Sequence, residues 1–585
     1  MLSLVALAVL VSAVGLALVA ASLGRGPSVS NDTTLVLHPG GVVGEVPAND
    51  VLGQLVGGDA TTVQGFVEAL EKARRDPRIT NVLIRPSSIE TPYWGKVQEM
   101  RDAITRFRTS GKHVVAFLEY GSEREYYLAS AAEKVFLLPT SPLDLTGVAS
   151  YEVFLRGAFD QFGAYPDYLH VGDYKTAINQ FTEKGFTPAH REMSEALNRD
   201  MYDQLVRGIA QARGKTDADV RALLDAGPFT PQQALTAGLV DGLAYDDELD
   251  DRMRDAKMVN GDLDTLDEHD YRRVTMASLG LQPKARIAVL YVVGTIVSGK
   301  SGYDPSNGDL VGSDTIVEEI RRLRADPTIK AIVLRIDSPG GSSVASDVIW
   351  RELAITKRQD PKRPIVASMS DLAASGGYYV ALPADVIVAQ PGTLTGSIGV
   401  FMGKVAIGGT LGKVGIRVET VKAGENADIY SPFAPFSPEQ RTRLMAYMQA
   451  FYSTFVEKVA SSRKQTPEQI HQLAQGRVWT GAQAKTRGLV DELGGLDTAI
   501  QMAKARANIA AEDDVELVTY PSRRTIYEEL SERFSRSTAS LGPFAGLLGQ
   551  TGLGRVSAAV SPLQIFRRGE PLALMPGAWA ALPVR

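Results

Sequence analysis

The sequence predicts an α/β protein made of two tandem copies of one domain, and two observations carry that prediction. The first is an internal repeat at an offset of about 250 residues. Asp76-Pro77 and the run ITNVLIR at 79–85 return as Asp326-Pro327 and IKAIVLR at 329–335. Leu145-Thr146-Gly147 returns, one residue out of step, as Leu394-Thr395-Gly396. Phe186-Thr187-Pro188 matches Phe436-Ser437-Pro438, and GLVD at 238–241 matches GLVD at 488–491. The second observation is alternation. In each copy, β-branched strand-like runs alternate with helix-like segments, the pattern of a sheet with crossover helices. A chain of 585 residues, 44% apolar and 22% charged, has material for two such cores.

The elements follow in chain order. Residues 2–24 carry no charge, and at about 1.5 Å per residue such a helix crosses a ~30 Å hydrocarbon layer. We read 1–24 as a transmembrane anchor. A cleaved signal peptide normally has a charged leading region and a shorter apolar core. Only Arg25 flanks the run, so charge does not orient it. The first repeat spans 33–250, and the Asp-rich stretch 251–284 reads as a linker. The second repeat spans 285–510. Within it, 286–297, 329–335 and 364–368 read as strands, and 313–324 as a helix capped by Ser313 or Asp314. Ser437-Pro-Glu-Gln and Thr466-Pro-Glu-Gln are capping boxes with proline at the first helical position. Residues 511–585 form an extension in which 544–565 is Gly-rich and mildly apolar, too broken for a second span.

Composition removes several kinds of chemistry. The chain has no cysteine, hence no disulfide, thiol nucleophile or Cys-type zinc site. Its six histidines form no HExxH-like pair, and no metal site is expected. Lys plus Arg total 62 against 68 acidic residues, a net charge of -6 that marks no nucleic-acid binder.

Comparing the copies with each other locates the site. After its second strand, the second copy has Ser338-Pro339-Gly340-Gly341-Ser342 where the first has Ser88-Ile89-Glu90. After its third, the second copy has Ala374-Ser375-Gly376-Gly377-Tyr378, and Ser375 falls opposite Glu123 of the first. Glycine lets a backbone approach another group closely, and adjacent Gly-rich turns offer amides to an oxyanion. Gly341 and Gly376 are the expected N–H donors, with Gly340 and Gly377 in support, and Ser375 is the candidate nucleophile. It needs a base. His471 lies on a helix about a hundred residues on, without triad spacing, and reads as a surface or packing residue. A lysine serves when its neutral amine is available. Lys175, in Gly-Asp-Tyr-Lys-Thr-Ala of the first copy, faces Glu425 of the second, so serine and lysine survive in opposite copies. Ser338 and Ser397 also sit in glycine-rich stretches and read as structural, with hydrogen-bond support of the site as the alternative.

At these residues the chain resembles the long, duplicated form of bacterial signal peptide peptidase A. The resemblance covers about residues 34–510 and rests on IVLRIDSPGGS (332–342), DLAASGGYYVA (371–381), TLTGSIGV (393–400), GDYKTA (172–177) and GRVWTGAQAKTRGLVD (476–491). It implies a Clp/crotonase-like ββα superhelix in each copy, Ser375 as nucleophile and Lys175 as general base and later general acid. It also implies remnant signal peptides and other short hydrophobic peptides as substrates, a homotetramer and no cofactor. The implied location is the bacterial inner membrane, with the catalytic domains on the extracytoplasmic side. Two other readings compete. A crotonase-like acyl-CoA enzyme would need neither the anchor nor the Ser375/Lys175 pair, and an inactive membrane scaffold would leave Ser375 free to change.

Overall fold

Runs of Val, Ile and Leu bounded by Gly, Pro and Asp make buried parallel strands, and the longest of them build the centre of each half. The computed structural model describes residues 29–46, 61–259, 263–280, 282–304, 307–521, 565–566 and 569–575. The apolar run 2–24 and nearly all of 544–565 lie outside the described residues. No helix among the described residues is long and apolar enough to cross a membrane.

Among the described residues, the first half forms a parallel sheet in the order Gly242–Leu243, Lys134–Leu137, His113–Leu118, Ile79–Ile84, Thr33–Leu37, Thr265–Asp267. The second half repeats that order with Glu492–Leu493, Val386–Ala389, Ile365–Ala374, Ile329–Ser338, Ala285–Val293 and Val515–Tyr520. The helices repeat as well: Val63–Arg75 answers Ser313–Ala325, and Pro188–Arg213 answers Pro438–Arg463. Two mixed α/β units therefore follow one plan. The stretch read as a linker is structured: the helix Leu249–Asp255 runs into it, and it holds the strand Thr265–Asp267, which pairs with Thr33–Leu37. Its counterpart, Val515–Tyr520, lies in the segment read as an extension and pairs with Ala285–Val293.

Local expectations are met at the helix starts and altered elsewhere. Both capping boxes form, at Ser437 with Gln440 and at Thr466 with Gln469. The helix Ser313–Ala325, however, is capped by Gly312 instead of Ser313 or Asp314. There Ser301 and Thr315 hydroxyls accept the loop amides of Gly312 and Ser301, so the entering chain is held from outside. The run 286–297 breaks into Ala285–Val293 and Thr295–Val297 because Gly294, at φ +105°, turns the chain into another sheet.

That other sheet joins the halves. Tyr165–Val171 of the first copy runs antiparallel to Val400–Ala406 of the second, from Tyr165 opposite Ala406 to Val171 opposite Val400. A buried charge cluster ties the halves again. Arg335 Nε and Nη2 each lie 2.8 Å from a carboxylate of the first copy, Glu45 and Glu99. Lys96 Nζ lies 2.8 Å from Asp337, and the Lys96 amide donates to Asp371 Oδ1 at 2.7 Å. Asp371 begins the run that ends at Ser375, so this cluster fixes the first copy against the strand carrying the serine.

Candidate active site

The strand Ile365–Ala374 is buried along its whole length and ends at Ser375, which opens the helix Gly376–Ala381. Ser375 has φ +56° and ψ -111°, a conformation that costs a non-glycine residue about 1–3 kcal/mol and collects at functional sites. The backbone holds it there: its amide donates to the Gly396 carbonyl at 2.8 Å. Behind the turn, the Tyr378 hydroxyl donates to Leu489 O at 2.8 Å, as Tyr126 does to Leu239 O at 2.6 Å in the sister copy.

Lys175 arrives from the other half. Its Nζ lies 2.9 Å from Ser375 Oγ, 3.0 Å from Ser397 Oγ and 3.1 Å from Ser397 O. The residue is 0% exposed. Burial alone lowers its pKa well below the ordinary lysine value, since an ammonium is more costly than an amine in a dry site. Glycines admit the side chain. A Cβ on Gly476, which has φ +82°, would stand 2.5 Å from Lys175 Cα, Cβ and N, and one on Gly399 would stand 3.3 Å from Lys175 Cδ. Ser397 thus touches the lysine directly, whereas Ser338 serves its own turn, donating to Gly294 O at 2.7 Å and accepting the Gly340 amide at 3.2 Å.

The two glycine turns meet beside the serine. A Cβ on Gly340 would lie 2.6 Å from Gly376 N, and a Cβ on Gly377 would lie 2.7 Å from Ser338 O, so larger residues would push the turns apart. In the first copy the same places are filled by carboxylates. Glu123, opposite Ser375, accepts the amides of Thr146 at 2.8 Å and Gly147 at 3.1 Å, and Glu125 accepts that of Ile89 at 2.6 Å. A site whose amides are capped by its own side chains has none to offer a substrate. Glu425, opposite Lys175, is exposed. His471 is exposed, with its Nδ1 2.8 Å from the Tyr452 hydroxyl. Among the described residues, no group of His, Asp and Glu side chains has the arrangement of a metal site.

Sequence reasoning missed Gly399 and Gly476 as the walls of the lysine passage, and it missed the segment 571–575, which lies against the glycine turns. Gly476 opens the GRVWTG run and gave a signal; the three-residue strand Leu572–Leu574 gave none.

A family model described as peptidase family S49 matches the chain twice, over residues 106–260 and 357–510. The chain is 36% identical over 455 residues to the chloroplastic serine protease SPPA of Arabidopsis thaliana, covering 77% of this chain and 66% of that one. It is 33% identical over 532 residues to Protease 4 of Salmonella typhi, covering 87% of this chain and 84% of that one. A relative from Enterococcus faecium, whose name proposes a signal peptide peptidase, is 32% identical over 207 residues, 35% of this chain and 59% of its own. With a buried, strained serine between glycine turns and relatives of this kind, the protein is a serine peptidase. The chain belongs to peptidase family S49.

Proposed function

We propose that the protein is a membrane-anchored endopeptidase in which Ser375 is the nucleophile and Lys175 the general base, and that it degrades cleaved signal peptides and other short hydrophobic peptides. The observation that carries the dyad is the 2.9 Å approach of a fully buried lysine, its pKa lowered by burial, to a serine held at positive φ. The neutral amine accepts the Ser375 proton as Oγ attacks the scissile carbonyl, while the amides of Gly341 and Gly376 take the developing negative charge. Gly340 and Gly377 keep the two turns close enough for both amides to serve one oxygen. Ser397 orients the amine so that its lone pair faces Ser375. The protonated lysine then gives its proton to the leaving amine, and water, deprotonated by the same nitrogen, releases the acyl group. No cofactor enters these steps.

The apolar run 2–24 supports the anchor, and the Enterococcus faecium relative's name supports the substrate class. The reading extends to a single span in a bacterial inner membrane, catalytic domains outside the cytoplasm, a homotetramer and a ββα superhelix in each half. The repeated strand order of the two halves is in keeping with the last of these. The test is peptide hydrolysis by Ser375→Ala and Lys175→Ala. Each should lose at least ~10³-fold in kcat while keeping the wild-type melting temperature within a few degrees. A variant retaining more than about a tenth of kcat would overturn the assignment of that residue.

A further inference from the structure

The glycine turns of the second copy are not empty. The strand Leu572–Leu574 runs antiparallel to Gly340–Ser342 on one side and pairs through Leu572 with Phe401 of Val400–Ala406 on the other. Met575 N donates to Pro339 O at 2.9 Å and Ser343 N to Pro571 O at 3.3 Å. In an antiparallel ladder the hydrogen-bonded pairs alternate, so the pair between those two, Gly341 with Ala573, also exchanges its N–H and C=O groups. The Ala573 carbonyl therefore accepts from the Gly341 amide. The same oxygen lies close to the other turn: a Cβ on Gly376 would stand 3.2 Å from it, and a Cβ on Gly340 would collide with it. Ala573 O thus occupies the place where Gly341 and Gly376 converge, next to Ser375.

The side chains are seated as a substrate's would be. Leu572 and Leu574, on one face of the strand, are 6% and 0% exposed and pack with Phe159, Ile178, Phe181 and Phe401. Ala573 and Met575, on the other face, are 0% and 3% exposed. Ahead of them Glu570 bonds the Ser342 hydroxyl. Backbone pairing on both sides with alternate side chains in pockets is how an extended peptide adds to a sheet.

We propose that the chain's own C-terminal segment is a substrate of this site, bound with Ala573–Leu574 as the scissile bond. The proposal rests on the Ser375/Lys175 reading. Ser375 Oγ forms an ester with the Ala573 carbonyl carbon while its proton passes to Lys175. The Ala573–Leu574 C–N bond then breaks, and Lys175 returns that proton to the Leu574 nitrogen. A solvent water, deprotonated by Lys175, hydrolyses the ester, leaving a carboxylate on Ala573 and restoring the Ser375 hydroxyl. The cut detaches Leu574 and Met575, two of the most deeply buried anchors of the strand, and so opens the cleft to other peptides. The register also reads out a preference: a small residue before the cut, with leucines on either side of it.

The test is intact-mass spectrometry of the purified full chain, wild type against Ser375→Ala, with casein hydrolysis measured on the same samples. The expected result is a wild-type chain ending at Ala573, a Ser375→Ala chain that keeps residues 574–585, and casein hydrolysis by the wild type alone. Ala573→Trp should hydrolyse casein and keep its tail, because a large side chain does not fit a position that is 0% exposed. A wild type that digests casein yet stays full length, or that is cut at another bond, would overturn the proposal and leave the dyad standing. A wild type inert toward both would overturn the dyad, and the proposal with it.

Discussion

Replacing Gly476 by alanine tests how closely the lysine passage controls the chemistry. The new Cβ would stand 2.5 Å from three Lys175 atoms, where an unstrained carbon contact is about 3.5–4.0 Å. One of the two segments must then move by roughly 1 Å. Carried to the end of the side chain, that shift takes Nζ from 2.9 Å to beyond hydrogen-bond range of Ser375 Oγ. A misplacement of about 1 Å costs about 100-fold in rate, and it should fall on kcat with KM little changed. Positive φ adds about 1–2 kcal/mol of backbone strain. Gly111→Ala separates the two effects, since Gly111 shares φ +82° with Gly476 but a Cβ there would meet nothing within 4 Å. Steady-state kinetics on a fluorogenic peptide and thermal melts of both variants form the assay. Both should melt lower, and only Gly476→Ala should lose kcat. Gly476→Ala within threefold of the wild-type kcat, or Gly111→Ala equally impaired, would show that contact with Gly476 does not set the position of the lysine.

Other outcomes follow from the buried groups. Lys175→Met should raise stability at neutral pH and flatten its pH dependence. Between the lowered native pKa and the ordinary value of 10.5, the unfolded chain binds a proton that the native chain does not. Wild-type stability therefore rises with pH through that window, and denaturant unfolding at several pH values would expose a missing slope. Arg335→Met should cost about 3–5 kcal/mol, a fall in Tm of roughly 10 °C, by leaving Glu45 and Glu99 buried without their partner. An unchanged melting curve would contradict that. His471→Ala should leave the pH–rate profile unaltered; loss of a limb near the ordinary histidine pKa of about 6.5 would hand the base role to that residue.

The parts legible in the sequence were those that local chemistry or the internal repeat announces. The capping boxes at Ser437 and Thr466, the duplication of an α/β unit and the serine–lysine exchange between copies all fall in this class. Contacts that join distant segments left no periodic trace. Arg85 and Arg335 occupy equivalent positions at the ends of the repeated runs ITNVLIR and IKAIVLR, yet Arg85 reaches Glu119 and Asp246 at the surface while Arg335 is sealed between Glu45 and Glu99 of the other copy. Only the packing of the halves distinguishes them. The strand Leu572–Leu574 is too short for any alternation to register, and its partners lie more than 150 residues away. A Cβ on Gly476 would meet Lys175, and one on Gly399 would meet the Gly476 backbone first and Lys175 next, contacts between segments far apart in the chain.

Activation of Ser375 by Lys175 sets the rate at which a fluorophosphonate probe labels Ser375, and the decisive measurement is that rate as a function of pH in the wild type and in Lys175→Ala. Labelling at Ser375 should rise through an apparent pKa well below 10.5 in the wild type and be slow at every pH below 10 once the lysine is gone. Labelling of Ser375 at the wild-type rate in Lys175→Ala, with the same pH profile, would contradict it.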